Sequence, residues 1–98
     1  MVGFSWNTKE WNFGYVQENS KLEFNFQYYS KEHTIKEITT SCGCTATNMR
    51  NKKIFTAILD TKKVINGKEK LLAVTIDVIT SDGLTHKLHL KAIVTKNE

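Results

Sequence analysis

At 98 residues, with 40% hydrophobic, 10% aromatic and 24% charged residues, the chain is apolar enough to bury one core of modest size, which excludes an intrinsically disordered segment. Its net charge of +4 comes from 14 cations spread from Lys9 to Lys96 rather than clustered with aromatic residues, so nucleic acid is not indicated as a partner. No apolar run approaches the roughly 20 residues of a membrane helix, and the lack of proline, of Gly/Ser linkers and of long repeats points to one domain over residues 1–98.

The first ten residues have neither the basic start nor the apolar stretch of a secretory signal, so an untargeted product is expected. They carry Phe4 and Trp6, and Trp11 to Phe13 then reads as a short strand. From Lys21 to Tyr28 the alternation is clear: Leu22, Phe24, Phe26 and Tyr28 share one face, with Lys, Glu, Asn and Gln on the other. His33 to Thr40, around Ile35 and Ile38, and Ile54 to Leu59 are further strand candidates. Asn66-Gly67 marks a turn, after which Leu72, Val74, Ile76 and Val78 restore the period of two. Asp82-Gly83 favours a tight antiparallel hairpin into a last strand whose inward phase is Leu84, Leu88, Leu90, Ala92 and Val94. No window carries a helical apolar stripe, so the fold predicted is an all-β, antiparallel β-sandwich of about seven strands. Its core is expected from Leu22, Phe24, Phe26, Ile35, Ile38, Leu72, Val74, Ile76, Leu88, Leu90 and Ala92.

Both cysteines fall in Ser41-Cys42-Gly43-Cys44-Thr45, for which three readings stand. A metal site would need donors beyond these two, from His33, His86 or His89; His86 and His89 lie in opposite phases of one strand. A redox pair is chemically feasible, but no helix N-terminus or neighbouring cation is there to activate a thiol. Packing is the third reading, and the one preferred: two small thiols, two residues apart, fill the end of the core beneath the strand from Leu22 to Tyr28, with the fold standing without an i, i+2 disulfide. Ser41, His33 and Asp60 supply the letters of a hydrolytic triad without a nucleophile elbow or a phosphate loop, so no catalytic residue, metal or cofactor is assigned. Trp6, Trp11 and Tyr29 are candidates for a partner contact, since large aromatic side chains give contact area at small entropic cost.

Trp11-Asn12-Phe13-Gly14, the aromatic alternating strand and Ser41-Cys42-Gly43-Cys44-Thr45 together resemble the bacterial DUF1573 family, over roughly Trp11 to Val94. The resemblance implies an immunoglobulin-like sandwich and a binding or structural module without catalytic activity. The chain departs from the family pattern at Tyr29-Ser30-Lys31-Glu32 and at Leu59-Asp60-Thr61-Lys62-Lys63, which alters loops rather than the alternation. A short lysine-rich domain is similar to the accessory proteins that bacteriophages carry. The function expected is therefore a non-enzymatic accessory protein of the virion, docking on a capsid or tail protein, with room for a homo-oligomer and no membrane partner. The alternatives are a secreted or periplasmic module of the bacterial cell surface and a thiol or metal protein using Cys42 and Cys44.

Overall fold

Alternating side chains build most of the strands, because a period of two places every second residue on the buried face of a sheet. The computed structural model of the protein describes residues 6–62 and 69–96. It contains β1 (Glu10–Gln17), β2 (Lys21–Gln27), β3 (Ile35–Thr40), β4 (Thr45–Asn51), β5 (Ile54–Asp60), β6 (Glu69–Thr80) and β7 (Thr85–Thr95). One sheet has the order β1-β7-β6-β3 and the other β2-β5-β4. With β3, β6 and β7 on one side and β2, β5 and β4 on the other, this is the immunoglobulin-like division of strands between two facing sheets. The β6–β7 hairpin closes where predicted: Gly83 has φ 86°, a conformation that costs a side-chain-bearing residue but not glycine. The pairing then runs unbroken from Ile79↔Thr85 to Glu69↔Thr95. Asn66-Gly67 and Phe4 lie outside the described residues.

The expectation of a wholly antiparallel sandwich is corrected at β1, which pairs with β7 in parallel, from Glu10↔His89 to Gln17↔Thr95. The turn after β1 carries the chain across to the other sheet, where β2 pairs with β5. The direction of β1 is thus set by that crossing and not by a hairpin. Within β1, Phe13 and Gly14 form a bulge between Asn12↔Lys91 and Tyr15↔Ile93. Asn12 Oδ1 accepts the Gly14 N–H at 2.8 Å, and Gly14 takes φ 77°. The extra residue shifts the phase, so that Trp11 stacks on Phe24 and both Phe13 and Val16 pack against the core.

Of the expected core, Phe26, Ile35, Val74, Ile76, Leu88, Leu90 and Ala92 are buried, while Leu22, Phe24, Ile38 and Leu72 are half-buried and pack at its margin. The centre belongs to β5, whose Phe55, Ala57 and Leu59 are fully buried because β5 is flanked by strands on both edges. Leu84, assigned inward, is 58% exposed; it sits in the hairpin turn before β7 begins, where the alternation has not yet started. The strand missing from the prediction is β4. Its sequence, TATNMRN, has no apolar alternation, yet it pairs with β5 from Thr45↔Leu59 to Asn51↔Ile54 and so satisfies the backbone of β5 on that edge.

Candidate functional site

Ser41 to Cys44 carry the chain from β3 in one sheet to β4 in the other, and hydrogen bonds fix each step. The Ser41 N–H donates to Thr75 O at 2.9 Å while Ser41 Oγ accepts the Thr75 N–H at 3.0 Å, so this side chain stands in for one more strand residue beside β6. Thr40 Oγ1 donates to Cys42 O at 3.1 Å and lies 3.4 Å from Thr45 O. The Thr45 N–H donates to Cys42 O, and the Asp60 N–H to Cys44 O. Thr45 itself is buried. The glycine between the cysteines is exposed at the tip of the turn, with nothing within 4 Å of where a side-chain carbon would sit.

Cys42 and Cys44 are joined as a disulfide, which corrects the expectation of two free thiols. The segment is a turn rather than a strand, and it draws the two Cα atoms to 5.1 Å, inside the range over which cystines form. Both residues are half-buried and pack against the core. Cys42 Sγ accepts the Cys44 N–H at 3.1 Å, and Cys44 Sγ lies 3.7 Å from Thr45 Oγ1.

The aromatic candidates part company. Trp6 is 2% exposed, which removes it as a contact residue. It bridges to Tyr28 and packs with Tyr28, Phe55 and His86 in an aromatic box, and among the described residues its indole N–H has no partner. Trp11 is partly exposed, but one face is taken by Phe24 at a centroid distance of 4.6 Å, so it closes the β1–β2 side of the sandwich. Tyr29 is exposed and lines a shallow groove with Gln27, Lys31, Asn51, Lys53 and Ile54.

The histidines follow their predicted phases. His86 points inward between the Trp6 and Tyr28 rings, and burial there, helped by Lys9 and opposed by Asp82, pulls its pKa below the ordinary imidazole value. His89 points outward, 3.4 Å from Thr75 Oγ1. His33 Nδ1 lies 3.2 Å from Ser81 Oγ. With Ser41 bound to Thr75 and Asp60 paired with Lys62, the three letters of the paper triad each have separate partners. Among the described residues no three His, Cys, Asp or Glu side chains are grouped to hold a metal ion.

One feature escaped the sequence reading. On the outer face of the larger sheet, Tyr15, Ile93 and Leu71 lie side by side across β1, β7 and β6, with Tyr15 70% and Leu71 69% exposed. On the same face, Lys91 pairs with Glu10 at 2.8 Å and Lys87 with Asp77 at 3.1 Å. The signal was present in Leu71-Leu72-Ala73-Val74, an uninterrupted apolar run where a half-buried strand would alternate.

A family model described as "Protein of unknown function (DUF1573)" matches residues 4–94, nearly the whole chain. No curated protein matches it.

Proposed function

For a chain that belongs to the DUF1573 family, we propose a non-enzymatic binding and structural module that docks on a protein of a large assembly, most specifically a capsid or tail protein of a bacteriophage virion. The observation that carries this reading is the apolar row Tyr15–Ile93–Leu71, on a sheet face that also holds the ion pairs Lys91–Glu10 and Lys87–Asp77. Contiguous exposed apolar surface rimmed by polar groups is a mark of protein contact sites. The edge of β4 adds backbone donors and acceptors beside the exposed Ala46, Asn48 and Met49, a second means of attachment by strand addition. The edge of β2 is less open, because Asn7 pairs its side-chain amide with Asn25 O and the Gln27 N–H. The lysine-rich composition is what favours the virion as the place of action.

A second reading, an exported module of the bacterial envelope, is favoured by the Cys42–Cys44 disulfide, since such bonds persist in oxidising compartments. Capture from the native source with the wild-type chain and with a Tyr15→Lys/Leu71→Lys variant tests both. Both positions are exposed, so the variant should keep its stability to within about 0.5 kcal/mol and lose the partner. Recovery of capsid or tail proteins supports the virion, and recovery of envelope proteins alone supports export. Equal capture by the variant refutes the apolar row as the docking surface.

A further inference from the structure

The disulfide closes a ring around a single residue, Gly43, so it removes very little loop entropy from the unfolded chain and cannot act as a staple of the kind that joins distant strands. The turn is instead anchored by bonds that bypass the sulfurs: Ser41 to Thr75 in both directions, Thr40 Oγ1 to Cys42 O, and the Asp60 N–H to Cys44 O. The S–S bond is therefore free to open while β3 and β4 stay attached. Both cysteines are only half-buried, and the ring faces open space at Gly43, which gives an incoming thiol access. Each sulfur also has a donor for the charge it would carry when released, the Cys44 N–H for Cys42 Sγ and the Thr45 hydroxyl for Cys44 Sγ. We propose that Cys42–Cys44 is a reversible thiol–disulfide exchange site whose co-substrate is a dithiol.

A thiolate of the dithiol attacks Cys44 Sγ, forming a mixed disulfide as the Cys42–Cys44 bond breaks. The electron pair of that bond leaves on Cys42 Sγ, where the Cys44 N–H, 3.1 Å away in the disulfide form, is placed to receive it, and a proton from water completes the thiol. The second thiol of the dithiol, after losing its proton, attacks its partner's sulfur, closes the dithiol's own disulfide and releases Cys44 as thiolate and then thiol. The chain gains two electrons and two protons, the dithiol loses them, and an oxidised dithiol reverses the reaction.

The full chain is equilibrated with mixtures of dithiothreitol and its oxidised cyclic form, quenched by alkylation and weighed, with the tryptophan circular dichroism of Trp6 and Trp11, at wavelengths beyond the disulfide band, followed in parallel. The expected result is paired, reversible alkylation of Cys42 and Cys44, at least about tenfold faster than global unfolding, with the tryptophan signal unchanged. Reduction that proceeds only at the unfolding rate, or that abolishes the tryptophan signal, overturns the proposal. In the single variants with glutathione disulfide, Cys42→Ser should form its mixed disulfide at Cys44 several-fold faster than Cys44→Ser does at Cys42, and equal rates overturn Cys44 as the attacked sulfur. The readout is the thiols and not partner capture, so either outcome leaves the docking reading to be judged on its own test.

Discussion

Replacing Trp6 by alanine separates a core residue from a contact residue. Trp6 is 2% exposed and lies against Tyr28, Phe55 and His86 at centroid distances of 5.0, 6.1 and 5.7 Å. A buried tryptophan removes roughly 200–250 Å² from water, worth about 5–6 kcal/mol at ~25 cal/mol per Å² as an upper estimate. The indole N–H, without a partner among the described residues, offsets about 1–3 kcal/mol of this. The net loss expected for Trp6→Ala is about 2–5 kcal/mol, overlapping the range of large-to-small core truncations. Against a total stability of about 5–15 kcal/mol for a domain of this kind, and a urea dependence of about 1–3 kcal/mol per M, the unfolding midpoint should fall by about 2 M. Urea titration followed by far-ultraviolet circular dichroism measures it. Trp6→Phe, which keeps an aromatic ring and removes the indole N–H, should lose much less. A Trp6→Ala loss below about 1 kcal/mol would refute the placement of Trp6 at the centre of the aromatic box, since no relaxation of the site accounts for so small a cost.

Three further outcomes are expected. Ser41→Ala leaves the Thr75 N–H without its 3.0 Å partner and should cost about 1 kcal/mol, with faster amide exchange at Thr75; unchanged exchange there would contradict the strand-extending role of Ser41. Thr61 is 1% exposed, and its Oγ1 accepts the Ser20 N–H at 2.8 Å and donates to Gln17 O at 2.9 Å. Thr61→Val should therefore cost about 1–3 kcal/mol and Thr61→Ser far less, as calorimetry would register. The folded His86 has a pKa below the ordinary 6.5, so just below that pH the unfolded chain binds more protons than the folded one. The stability that neutral His86 contributes is complete above about pH 6.5 and is lost as the pH falls from there through the folded value. The melting temperature should drop between pH 7.5 and 5.5, and a His86→Gln variant showing the same drop would locate the effect elsewhere. Glu10 and Asp82, held below the ordinary carboxylate range by Lys91 and by the Thr80 hydroxyl respectively, contribute stability that is still complete in this pH window and is lost only as the pH falls below the ordinary carboxylate range.

Local pattern was enough for the sandwich because alternation is a property of neighbours in sequence. Lys21–Tyr28 and the two long strands around Asp82-Gly83 declare their buried faces, and the hairpin fixes its own register through Gly83. The WNFG and SCGCT segments marked the family without disclosing their work. Only in three dimensions does Asn12-Phe13-Gly14 become a bulge that resets the phase of β1, and Ser41 a substitute partner for Thr75.

The amino-acid sequence by itself determined the all-β class, the strand faces, the last hairpin and most of the core, since each rests on a period of two or on a turn residue with a fixed backbone preference. Tertiary structure alone decided the parallel pairing of β1, the recruitment of β4, the burial of Trp6, the cystine at Cys42 and Cys44, and the apolar row of Tyr15, Ile93 and Leu71. These depend on which strands the crossings between sheets bring together, over separations along the chain that no local pattern encodes.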